Sequence, residues 1–123
     1  MLRVAVLNHE IRFCTARDGV RIAYAIAGQG PPLVYPATYL NNLRIDPTLI
    51  GYKHWLEGLS RHHTLIWADL RGAGMSDRTV PSMTFDDWVG DIEAMVDDLG
   101  LKRFPLVGFS HAAATSIAYT VPR

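Results

Sequence analysis

Leu33-Val34-Tyr35 and Leu65-Ile66-Trp67-Ala68 are unbroken apolar runs, too short for helices and without polar alternation. Such runs suit strands covered on both faces, the situation of a parallel sheet between helical layers. The rest of the chain fits that frame. Ile11, Phe13 and Thr15 alternate with Arg12, Cys14 and Ala16 before Asp18-Gly19, so a hairpin is expected, with strands over about 11–17 and 20–27. Gly28-Gln29-Gly30-Pro31-Pro32 stops the second strand, and further strands are read over about 33–36, 64–68 and 104–108.

Helices are expected between these strands. Thr48 can cap a helix over about 48–60 whose Leu49, Ile50, Tyr52, Trp55, Leu56 and Leu59 lie roughly along one side. Over about 84–99, Phe85, Trp88, Val89, Ile92, Met95, Val96 and Leu99 form one apolar stripe; Thr84 with Asp87 matches a capping box, and Gly100 is a natural stop. Six of the twelve acids lie on this helix and are read as a solvated face, with no metal site. A third helix, about 111–120, is apolar nearly all round and is expected to be buried. A hairpin followed by alternating strands and helices predicts a single three-layer α/β/α domain over 1–123.

Composition excludes several classes of function. Twelve Lys plus Arg balance twelve Asp plus Glu, so no net field draws in nucleic acid or an anionic membrane. At 49% apolar and 20% charged the chain is expected to bury a core. The single Cys14 excludes an internal disulfide and fits a reducing compartment. The apolar run Val4 to Leu7 is too short for a signal peptide or a span, so a soluble, cytoplasmic protein is expected.

Gly108-Phe109-Ser110-His111-Ala112 falls where the fifth strand meets its helix. The loose pattern G-x-S-x-[GA] is weak alone; its position at a strand-to-helix turn is what a nucleophile elbow requires. A serine held there projects its oxygen beyond the carboxyl edge of the sheet, and small neighbours, here Gly108 and Ala112, let strand and helix approach. The helix N-terminus supplies amide donors to a developing oxyanion. Ser110 is therefore the candidate nucleophile and the His111 backbone N–H a candidate oxyanion donor.

Three features, in order, resemble the α/β-hydrolase superfamily: Pro31-Pro32-Leu33-Val34-Tyr35-Pro36, the loop Asp69-Leu70-Arg71-Gly72-Ala73-Gly74-Met75-Ser76-Asp77, and the turn at Ser110. The opening Arg12-Phe13-Cys14-Thr15 with Asp18-Gly19-Val20-Arg21-Ile22-Ala23-Tyr24 is similar, more narrowly, to bacterial members sometimes fused to cyclase or regulator domains. The resemblance implies the N-terminal half of that fold, with a second oxyanion donor after the third strand. Pro36-Ala37 stands where the family usually has His-Gly, so the amide of Thr38, or less favourably Tyr39, would serve. A serine where related dehalogenases and epoxide hydrolases carry aspartate implies acyl transfer on an ester, thioester or similar bond of a small-molecule substrate, without a cofactor. Asp69, Arg71, Gly72 and Gly74, with Ser76 and Asp77, are read as shaping a turn beside the site, and Tyr39, Trp67 and Met75 as wall or core.

The implied triad acid and histidine do not follow Ser110 before Arg123. Upstream, His62 and His63 precede the fourth strand and so belong to the wrong end of the sheet, His54 lies on a covering helix, and His9 lies before the first strand. The His111 ring, next to the serine, points elsewhere. The expectation is a chain holding nucleophile and oxyanion loop and inactive by itself, its fifth strand an exposed edge open to self-association. The alternative is a non-catalytic binding, sensory or assembly module of the same fold.

Overall fold

The computed structural model describes residues 9–36, 42–45, 50–108 and 111–121. Strands β1 (His9–Thr15) and β2 (Arg21–Ala27) form an antiparallel hairpin that pairs Thr15 with Arg21. Its connection is longer than a two-residue turn. Residues 16–20 close through Ala16 N–H to Val20 O (2.8 Å) and Gly19 N–H to Ala16 O (2.9 Å), with Gly19 at φ 87°. Then come β3 (Pro32–Tyr35), α1 (Ile50–Ser60), β4 (Thr64–Ala68), α2 (Phe85–Leu99) and α3 (His111–Thr120).

The sheet order is β1-β2-β4-β3, with β3 and β4 parallel and β2 antiparallel to β4, so the sheet is mixed. Alternation along the strands separates two cores. Ala23, Ala25, Leu33, Tyr35, Leu65 and Trp67 face Leu56 of α1, while Ile22, Tyr24, Val34, Ile66 and Ala68 face Met95 of α2. Helices therefore cover both faces, the condition that continuous apolar strands require.

The expected fifth strand is reduced to one bridge. Leu106 pairs in parallel with Val34 through Val34 N–H to Pro105 O (3.1 Å) and Val107 N–H to Val34 O (2.9 Å). The reason is chemical. On β3 the backbone positions sharing Val34's side are Pro32 and Pro36, and neither has an N–H to donate.

Helix α2 carries the Thr84–Asp87 capping box and ends at Gly100 (φ 66°), where Leu101 N–H reaches Val96 O at 3.1 Å. Its acids are not simply a solvated face. Asp91 is buried, Asp87 caps, and Asp98 accepts the Tyr24 hydroxyl at 2.5 Å. Helix α3 corrects the expectation of burial all round: Ala112, Thr115 and Ser116 are buried, but Ile117 is 65% exposed. On α1, Leu56 is buried while Trp55 stands half-exposed against Tyr35. The Thr48 cap lies outside the described residues. No described helix is long and apolar enough to cross a membrane.

Asp87 yields a pH prediction. The Ser82 hydroxyl, then the Thr84 backbone N–H, hold its carboxyl down to about 2 against a usual 3.8. Between those values the unfolded chain binds the proton and the folded chain does not, so stability rises with pH there. Its contribution is complete above about pH 4 and disappears as pH falls through about 2. Urea midpoints for Asp87→Asn should show a shallower acid limb than the parent; an identical slope refutes the assignment.

Candidate functional site

Tyr35-Pro36, Ala68-Asp69 and Val107-Gly108 all end at the carboxyl edge of the parallel strands, the side on which open α/β sheets place their sites. Segment 105–107 runs beside β3, and α3 begins at His111. Only Phe109 and Ser110 separate Gly108 from that helix, and both lie outside the described residues, as do Ala37, Thr38 and Tyr39. His111 opens α3. A Cβ on Gly108 would lie 2.7 Å from Ser116 Oγ and 2.9 Å from both Ala112 O and Ala113 Cα. Contacts that close are tolerated only by glycine, so helix and strand meet tightly just before position 110. Ala112 is fully buried in the α1-side core.

The loop after β4 is bound to β2 rather than to solvent. Asp69 N–H donates to Ala23 O (2.9 Å), the Ser76 hydroxyl accepts from Ala23 N–H (2.8 Å) and donates to Asp69 O (2.8 Å), and Asp77 N–H donates to Arg21 O (2.8 Å). Gly72 turns back at φ 83°, and its N–H reaches Asp77 O at 2.7 Å. Gly74 (φ 54°) lies against the Asp69 carboxylate, where any Cβ would collide.

Arg71 is 2% exposed and holds three elements together. Its guanidinium grips Asp91 of α2 in a bidentate pair (2.8 and 2.7 Å), reaches Asp18 of the hairpin turn at 2.8 Å, and donates to Ser82 O at 3.0 Å. The bond to Asp91, then the one to Asp18, raises its pKa further, so it stays charged. Arg71, expected to shape a turn, instead spans from that loop to α2, and its partner Asp91 was not among the expected residues. A signal existed: Asp91 sits three residues after Trp88 and four before Met95, inside the apolar stripe of α2.

Asp69 is almost fully buried. Its carboxylate accepts the Leu43 N–H on both oxygens (3.0 and 3.1 Å) and the Met75 N–H at 2.7 Å. Burial raises this carboxyl above its ordinary value, opposed by those two amides and the Arg78 charge. His9, expected before the first strand, instead opens β1, with Nε2 at 3.0 Å from Leu43 O and its ring 5.8 Å from that of the buried Trp67. Met75 packs against the same core. His62 and His63 lie between α1 and β4, at the amino end, and His54 is exposed on α1. Between sheet and α2 a cavity of about 20 Å³, lined by Ile22, Ala68 and Trp88 among others, has room for one water and not for an acyl group.

A family model described as alpha/beta hydrolase fold matches residues 31–121. The chain is 30% identical over 92 residues to the AB hydrolase superfamily protein YisY of Bacillus subtilis, covering 75% of this chain and 32% of that one. Among solved structures, the epoxide hydrolase VrEH1 from Vigna radiata superposes with TM-score 0.72 at 25% identity, over 90% of this chain and 35% of that one. The esterase RhEst1 from Rhodococcus sp. ECU1013 gives 0.71 at 29% identity, over 89% and 39%. The chain thus spans about a third of the length of these relatives.

Proposed function

Because the chain belongs to the alpha/beta hydrolase fold family, we propose that it carries the nucleophile and oxyanion part of a serine hydrolase acting on an ester, thioester or similar acyl bond. One observation carries the reading. The run beside β3 ends at a glycine packed against α3, and in sequence only two residues, the second of them Ser110, stand between that glycine and the helix. The esterase among the structural neighbours favours acyl transfer, and an aspartate nucleophile of the epoxide-hydrolase kind has no counterpart at position 110.

In the proposed mechanism Ser110 Oγ attacks the acyl carbonyl carbon while its proton passes to a histidine base. The tetrahedral oxyanion is held by the backbone N–H groups of His111 and Thr38. Collapse expels the alcohol or thiol, which takes the proton, and water then releases the acyl group from Ser110. No cofactor enters these steps. Since His54, His62 and His63 lie on the outer helix and at the amino end, the base and its orienting acid are assigned to the part of the fold outside residues 1–123. Cytoplasmic residence belongs to the same proposal and is motivated by the lone Cys14, whose thiol burial pushes up to about 11, away from reactivity.

A fluorophosphonate probe with mass mapping tests the reading. Labelling at Ser110 is expected when the chain is supplied with the C-terminal part of the fold, and Ser110→Ala should abolish it. Vigorous turnover by the 123 residues alone overturns the assignment. A second reading, an assembly module, is favoured by the exposed Ile117, which lines a surface hollow with Leu106 and Gly108. Light scattering separates the two: a tight, reproducible dimer supports the module.

A further inference from the structure

We propose that Asp69 and His9 are positioning residues of this site, gripping the backbone N–H and C=O of Leu43 and so fixing where the backbone leaving β3 returns to the sheet. The inference rests on the hydrolase reading, because that stretch of backbone carries Thr38. Leu43 N–H donates to both Asp69 oxygens, and its carbonyl faces His9 Nε2 at 3.0 Å. A carbonyl oxygen can only accept, so the proton sits on Nε2 of His9.

The two grips come from different strands. His9 is the first residue of β1 and Asp69 follows β4, so the two peptide units flanking one residue are referenced to two different strands at once. The Leu43 side chain is fully buried in the α1-side core with Trp67, on which the His9 ring leans. The same Asp69 carboxylate takes the Met75 N–H, which couples Leu43 to the turn after β4, and Gly74 leaves room for it. A buried carboxylate whose donors are backbone amides is a costly way to fill space. Its worth lies in direction: two amides from separate loops converge on one rigid acceptor.

Amide exchange of the 15N-labelled chain tests this at Leu43 directly. His9→Phe keeps a ring on Trp67 but loses the donor, and is expected to speed Leu43 exchange about fivefold. His9→Gln, which restores an N–H donor, should return it to within about twofold of the parent. Asp69→Asn, which keeps one acceptor, should speed Leu43 and Met75 together while Leu65 and Trp67 in β4 are unchanged. In the complemented form, the initial rate of Ser110 phosphonylation should fall in His9→Phe and recover in His9→Gln. Unchanged Leu43 exchange, uniform acceleration through β4, or undiminished labelling despite a loosened Leu43 each overturns the proposal. If the parent is never labelled, the nucleophile reading and the positioning role fall together, while Leu43 exchange still reports whether the grip itself exists.

Discussion

Replacing Arg71 with alanine is expected to lower stability by about 3–5 kcal/mol, the cost of leaving a buried carboxylate without its cation. Asp91 is 8% exposed and has two hydrogen bonds to this guanidinium. Burial alone already raises its carboxyl, and Arg71 is the cation that opposes this. Asp18 contributes little, because its side chain is 35% exposed and water takes over when the arginine leaves. Against a total of about 5–15 kcal/mol for a domain, the loss is enough to unfold much of the population. Urea denaturation measures it. Arg71→Met combined with Asp91→Leu should recover most of the loss, since well-packed apolar groups replace a buried pair at little cost. A single-variant loss below about 1 kcal/mol would mean the pair is effectively solvated.

Gly28→Ala is expected to cost about 3 kcal/mol, from two sources that a control can separate. Gly28 has φ 90°, and a Cβ there would fall inside the Ser60 and His63 carbonyl oxygens, both of them backbone and unable to swing away. Gly19 has nearly the same φ, 87°, but nothing within 4 Å of its Cβ position. Gly19→Ala should therefore lose about 1 kcal/mol for backbone strain alone. The difference in thermal or urea midpoint between the variants reads the collision at the junction of β2, α1 and β4. Equal losses would show that the neighbouring chain moves aside.

The layers and element order were legible because buried strands leave no room for polar residues and an outer helix must show one apolar stripe. Thr64–Ala68 and Thr84–Gly100 are the plainest instances: the run is a strand, and the stripe starts and stops at its own capping groups. What could not be read depends on distant partners. Nothing local tells Asp91 from Asp97 except its place on the stripe, yet one is buried against Arg71 and the other exposed. His9 looked uninformative because its partner, the Leu43 carbonyl, is 34 residues away. Ile117 looked like core because α3 carries so few polar side chains that periodicity could not say which side faces the sheet. The fifth run has the apolar letters of a full strand, but the side of β3 that it faces can donate only from Val34. For the candidate site, the glycines and the aspartate of the loop after β4 were legible as turn chemistry, while the grip on Leu43 was not.

Bracketing Val34 between Pro32 and Pro36 has a consequence for where residues 104–108 sit along β3. With both backbone bonds from residues 105–107 made to Val34 alone, the ladder is a poor ruler for how far this run slides along its neighbour. Hydrocarbon does the measuring instead: Leu106 docks on one face, Val107 on the other, and Phe104 meets Tyr119. Trimming any of these side chains would shift the level at which Gly108 meets α3, with both backbone bonds to Val34 left intact.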